Sequence, residues 1–186
     1  MPDIGWGFGP PVRGYMSNVG VQPEDDVVSL SEPLVESTDY SMYVVTAWAN
    51  DEASGCLAGF VTQASIDPVR FIVCVSKVNH TFGIALRSDG LGLHLLGTDQ
   101  REMASLFGEQ TGDVVKKFER VQWDRGVTGA PILSECAAWV EGRVIDRMSG
   151  GDHEALLITV VDGGRGTHSG RLTKADVTDF TPGHPQ

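Results

Sequence analysis

Hydrophobic and polar positions along the chain fall into short extended runs that do not alternate regularly with long helices. "YVVTAWA" (43–49) is β-branched and aromatic, "NDEASG" supplies a turn, and "CLAGFVTQAS" resumes an extended pattern. After Pro68 come "RFIVCVSK", then "LGLHLLG", and then two long runs, "CAAWVEGRVID" and "ALLITVVDG", on either side of "SGGDHE". These are six predicted strands. Two helices interrupt them: "NHTFGIALRSDG", with Asn79 or Thr81 as N-cap and Gly90 as its stop, and "DQREMASLFGEQTG", capped by Asp99. In the second, Met103, Leu106 and Phe107 recur at i, i+3 and i+4 and form one apolar face. "VVKKFERVQWDRGVTGAPIL" carries the breakers Gly126, Gly129 and Pro131 and reads as irregular; "LTKADVTDF" adds one short helical or extended element. Strands that do not alternate with long helices exclude a parallel βαβ sheet and predict a mainly β, antiparallel barrel with a few short helices.

Residues 1–36 mix Gly, Pro and acids without periodicity and read as an extended or partly ordered N-terminal arm. Residues 37–163 then form the barrel domain, and 164–186 a C-terminal extension. The Gly5-x-Gly7-x-Gly9 pattern follows no strand and ends in two prolines, so it is not a dinucleotide fingerprint.

Charge narrows the partners. Fourteen Lys and Arg against 25 Asp and Glu give a net charge of −11, which repels nucleic acid and anionic membranes. No apolar run is long enough to span a bilayer, and the N-terminus lacks the basic and apolar regions of a secretory signal. Cys56, Cys74 and Cys136 sit in apolar stretches without C-x-x-C spacing, as free thiols of a cytoplasmic protein do. Metal ligands are not clustered, so no metal is expected. There is no G-x-S-x-G elbow, which argues against a serine hydrolase. His94, inside a strand, reads as a hydrogen-bonded structural histidine.

Three stretches carry candidate chemistry. "SKVNHT" joins a strand to a helix, so free backbone N–H groups, Lys77 and the Thr81 hydroxyl could receive a phosphate; the same residues also suit an ordinary capped helix. "FVTQASID" offers short side chains and accessible backbone to a flat ligand. Lys116-Lys117 before Phe118 is a positive cluster in an acidic chain, with solvated charge as its ordinary reading.

In order and spacing, "YVVTA", "TQASIDPVRFIVCVSKVNHT", "MASLFGEQTG", "KKFERVQW", "GAPIL" and "GDH" resemble the flavin reductase family of FMN-binding split barrels, from about Tyr40 to Asp162. The resemblance implies a homodimer of six-stranded antiparallel split barrels of Greek-key order, each with FMN (FAD as a variant) in a cleft near the dimer interface. It places Thr62, Gln63, Ala64 and Ser65 beside the isoalloxazine, with a backbone N–H toward N5, and Ser76, Lys77, Asn79 and Thr81 on the phosphate and ribityl side. Lys116, Lys117 and Phe118 match a loop that approaches flavin or nicotinamide, with Lys117 and Phe118 as its flavin contacts. Gly151, Asp152 and His153 match a turn that receives NADH or NADPH. The implied activity is hydride transfer from NAD(P)H to flavin, with no catalytic side chain because flavin N5 carries the chemistry. Electrons then pass to a monooxygenase, oxygen or a redox protein. The alternative is an FMN-binding electron carrier that does not itself oxidise NAD(P)H. "TQASIDPVRF" is shorter than in many stand-alone members and has a single proline, which favours tightly held FMN.

Overall fold

The computed structural model describes residues 24–112 and 114–183. It divides into two units. In the first, where an extended or partly ordered arm is expected, Glu24–Ser37 forms a helix, α1, with Pro33 inside it; Ser37 donates its hydroxyl to the Pro33 carbonyl at 2.5 Å. The Gly5-x-Gly7-x-Gly9 stretch lies outside the described residues.

Among its described residues the second unit holds nine strands: β1 (Tyr43–Ala49), β2 (Glu52–Ala58), β3 (Val61–Ser65), β4 (Arg70–Ser76), β5 (Gly90–Leu95), β6 (Asp124–Arg125), β7 (Pro131–Ile132), β8 (Ala138–Ser149) and β9 (His153–Arg165). Helices α2 (His80–Ala85) and α3 (Arg101–Gly108) lie on either side of β5 in the chain. Seven strands form one antiparallel sheet in the order β2-β1-β5-β8-β9-β4-β3, and β6 and β7 pair separately. The protein is therefore mainly β with few helices, as expected.

The sheet has seven strands rather than six, and its hydrogen-bonded order is open, with β2 and β3 at the ends. The extra strand arises because "CLAGFVTQAS" is not one run. It breaks at Gly59-Phe60 into β2, which pairs with β1, and β3, which pairs with β4. Gly59 is needed at the break, since a Cβ there would overlap the Tyr40 ring. Conversely, "NDEASG" contributes only Asn50 and Asp51 to a turn. Both have positive φ (52° and 60°), the two-residue arrangement that matches strand twist in a tight hairpin.

Strand β1 is buried on both faces, which explains its unbroken apolar run. Val45 and Ala47 join Val73, Val75, Leu91, Leu156 and Ile158 in one core. Val44 joins Phe107, Leu96, Leu133 and the C-terminal residues Leu172 and Val177 in a second. The segment after residue 164 is thus packed into the same unit as the sheet, through a 3-10 turn at Lys174–Val177. Two cap assignments change. Asp99 does not cap α3; it pairs with His168 at 3.0 Å, and Gln100 takes the cap position. Gly90 does not end α2, which stops at Ala85, but opens β5. No described helix is long and apolar enough to cross a membrane.

Candidate functional site

Register brings the predicted residues onto one face. Directly paired residues in a sheet point to the same side. β4 pairs Ser76 with His153, Ile72 with Leu157 and Arg70 with Thr159, and on its other edge Ile72 with Thr62 and Arg70 with Ser65. Thr62, Ser65, Arg70, Ser76 and His153 therefore share the face opposite the buried Val73 and Val75. Gln63 pairs with Phe71 and donates its amide to the Ser65 carbonyl at 3.1 Å. Ala64 is the residue skipped by the β3–β4 register shift, so a bulge takes it out of the ladder on an exposed edge strand.

The end of β4 is tied to the turn between β8 and β9. Lys77 Nζ donates to Ser149 Oγ at 2.7 Å and to the Gly151 carbonyl at 2.5 Å, and the Lys77 N–H donates to the Asp152 carbonyl at 2.8 Å. Gly151 has φ +127°, a conformation glycine adopts without strain. His153 Nδ1 pairs with Asp152 Oδ1 at 2.9 Å, and its ring lies 5.3 Å from that of Phe60. The hydrogen bond from His153 holds the exposed Asp152 carboxyl below its usual range. Two candidate groups that stand apart in sequence, Ser76-Lys77 and Gly151-Asp152-His153, thus form one assembly.

The first turn of α2 is capped by Asn79, whose side chain accepts from the Thr81 N–H at 3.0 Å. The Thr81 hydroxyl is buried and bonded to Ser54 Oγ at 3.0 Å, so it supports the turn from beneath rather than facing solvent. Lys117 and Phe118 are not brought to the shared face. Lys117 is 5% exposed and donates to the carbonyls of Gly55 (3.3 Å) and Phe107 (3.2 Å), and burial lowers its pKa. Phe118 stacks edge-on against Phe107 and Trp123, each 5.8 Å away. Both line a separate hollow of about 390 Å³ beside Trp48 and His80. Only Lys116 shows the solvated charge that "KK" implies, in an exposed pair with Glu119.

A cavity of about 400 Å³ opens at the end of β4. Ser76, Asn79 and His153 edge it; Tyr40, Phe60 and Phe180 supply aromatic wall, with Lys174 among them. Sequence reasoning missed these last four, because they come from a strand junction and from chain ends with no periodic signal. It also missed Arg70. Arg70 Nε is the one buried side-chain polar atom without a hydrogen-bond partner among the described residues. A leftover donor beside Ser65 suits a ligand rich in acceptors, and polar side chains at the mouth of an aromatic cavity suit a flat phosphorylated one. The residues present therefore fit a flavin nucleotide.

Residues 36–176 match the family model of the flavin reductase like domain, and the chain belongs to that family. Among its relatives, it is 30% identical over 125 residues to the ferric-chelate reductase (NAD(P)H) of Archaeoglobus fulgidus, covering 66% of this chain and 74% of that protein. It is 28% identical over 109 residues to the FMN reductase (NADH) of Pseudomonas syringae, covering 59% of this chain and 61% of the relative. The solved structure of the flavin reductase component of a bacterial two-component tryptophan halogenase superposes with a TM-score of 0.69 at 27% identity, covering 80% of this chain and 92% of the other.

Proposed function

We propose that the chain is an NAD(P)H:flavin oxidoreductase that holds FMN along the shared face of β3, β4 and β9. The observation that carries this reading is the register, which aligns Thr62, Ser65, Ser76 and His153 on one side of the sheet. When bound, the flavin supplies the hydride-accepting centre. The chain's own residues bind and orient. Ser76, Lys77 and Asn79 hold the phosphate and ribityl side, with Thr81 bracing the turn. Thr62, Gln63, Ala64 and Ser65 border the ring, and the bulge at Ala64 provides a backbone N–H for it. Gly151, Asp152 and His153 receive the pyridine nucleotide.

The same reading includes a cytoplasmic homodimer in which the seven-stranded sheet forms a split barrel. Exposed Phe60, Ile66, Val69, Ile145, Met148 and Val161 are apolar area that a second copy would cover. The electrons go on to a monooxygenase, oxygen or a redox protein.

Anaerobic addition of NADH or NADPH to the FMN-loaded protein tests the function. The expected result is bleaching of the flavin band near ~450 nm. Binding of FMN without bleaching by either nucleotide would convert the assignment to an electron carrier. Lys77→Ala is expected to weaken FMN binding about tenfold, the loss of one charge-assisted hydrogen bond. Equal affinities in a fluorescence titration would remove Lys77 from the phosphate side. His153→Ala is expected to raise the KM for the nucleotide about fivefold to tenfold with FMN still bound. An unchanged KM would leave His153 as a partner of Asp152 and Phe60 alone.

A further inference from the structure

The cavity meets the flavin face only at its Ser76 end and continues past it. Thr62 and Ser65 do not line it, whereas Cys74, Ser76, Asn79 and His153 do. Along β4, Ser76 and Ile72, the partner of Thr62, lie about 13 Å apart, at the rise of an extended strand. If the ring lies near Thr62 and the phosphate near Ser76, the cavity opens beside the ribityl chain at Cys74 and runs on past the phosphate.

Its far wall comes from the end of the chain. Val177, Thr178, Phe180 and Pro182 line it, and all four lie past residue 176, where the family match stops. This wall is fixed in place from several sides. Asp179 accepts two hydrogen bonds from Arg101, both at 2.6 Å, and the Arg101 guanidinium lies 4.5 Å from the centre of the Phe180 ring. The Thr181 N–H donates to Glu109 at 3.1 Å and the Gly183 N–H to the Gly108 carbonyl at 3.1 Å. The opposite wall is the Tyr40–Phe60 pair, with centroids 5.8 Å apart and Lys174 Nζ 5.6 Å above the Tyr40 ring. Aromatic walls with a nearby ammonium suit a purine base and its phosphate.

We propose that this C-terminal cavity binds the adenosine phosphate half of a dinucleotide, entering past the Ser76–Asn79 end. The inference rests on the flavin lying along the sheet face as described above. Two dinucleotides carry that half, FAD and NAD(P)H, and they are separable. FMN and FAD are titrated into the full chain, and the KM for NADH is measured with saturating FMN, for wild type, Thr178→Trp and Lys174→Ala. Thr178 is exposed on the turn, so a larger side chain there fills the cavity mouth without entering the core.

If FAD is the occupant, wild type binds it about tenfold tighter than FMN, and both variants bring the two affinities together. If the pyridine nucleotide is the occupant, the FAD-to-FMN ratio stays near one throughout and the KM for NADH rises about tenfold in both variants. A ratio and a KM that neither variant moves, in protein that still binds FMN, overturn the cavity assignment and leave the flavin reading standing. Failure of wild type to bind either flavin overturns the flavin reading, and the cavity assignment with it.

Discussion

Lowering the pH from 7 to 4.5 is expected to remove about 2 kcal/mol of folding stability through His94. The ring is fully buried in β5, and each nitrogen has one partner, the Val44 carbonyl at Nδ1 and the Leu133 N–H at Nε2, both at 3.0 Å. A carbonyl only accepts, so Nδ1 carries the proton; an N–H only donates, so Nε2 must keep its lone pair. One neutral tautomer satisfies both. Protonation would turn the Nε2 acceptor into a donor facing another donor inside the core. Burial accordingly depresses the pKa from 6.5 to about 4. Above pH 6.5 neither the folded nor the unfolded chain is protonated here, and the full stability is present. Between 6.5 and 4 only the unfolded chain takes up the proton, so stability falls with pH; below about 4 the folded state binds it too and the loss ends. Urea unfolding at pH 7, 5.5 and 4.5 measures this. His94→Gln is expected to be less stable at pH 7 and to lose much of the slope. A slope unchanged in that variant would assign the acid sensitivity to other groups.

Glu141→Leu is expected to cost on the order of 4 kcal/mol, lowering Tm by roughly 10 °C. Glu141 has no exposed surface, yet its carboxylate is met by three donors: the N–H groups of Val127 and Thr128, each at 2.7 Å, and the Thr128 hydroxyl at 2.5 Å. Leucine fills similar volume but leaves all three donors without the carboxylate that accepts from them. Glu141→Gln keeps one carbonyl oxygen and is expected to cost about half as much. Thermal unfolding of the two variants reads the difference. A loss below about 1 kcal/mol for Glu141→Leu would mean that the loop from Gly126 to Gly129 moves to find water.

Neither Glu141 nor Lys117 was legible in the sequence. Within "AWVEGRVI" the glutamate occupies an alternating position that reads as the solvent side of a strand. Its burial comes from a loop that folds over β8 from a dozen or so residues earlier in the chain. Lys117 reads as a solvated charge beside Lys116, but α3 and β2 supply carbonyls that hold it 5% exposed. For the same reason the loop expected to approach the ligand is not joined to the shared face. In each case the deciding partner is remote in sequence and contributes backbone groups, which have no residue-specific signature.

The candidate site was more readable where local rules act. Asn79 caps α2 because a short polar side chain before a helix can accept an orphan N–H. SGGDHE turns the chain because Gly151 tolerates positive φ. Most strands follow from β-branched runs bounded by breakers. The sequence by itself thus determined the mainly β class, the Asn79 cap, the SGGDHE hairpin, and the polar residues at the ends of β3, β4 and β9.

Only the tertiary structure decided that Gly59 splits one apparent strand into two, since the reason is the Tyr40 ring lying against it. Only pairing register set Ser76 opposite His153 and Lys77 against the turn at 149–151, through contacts that span more than seventy residues. The C-terminal wall of the cavity is of the same kind. Its composition is that of a tail, and its position comes from Arg101, Glu109 and Gly108 on and beside α3. Local propensity acts over a few residues of one segment, whereas register, burial and cavity walls depend on which distant segment arrives, and that is settled by packing.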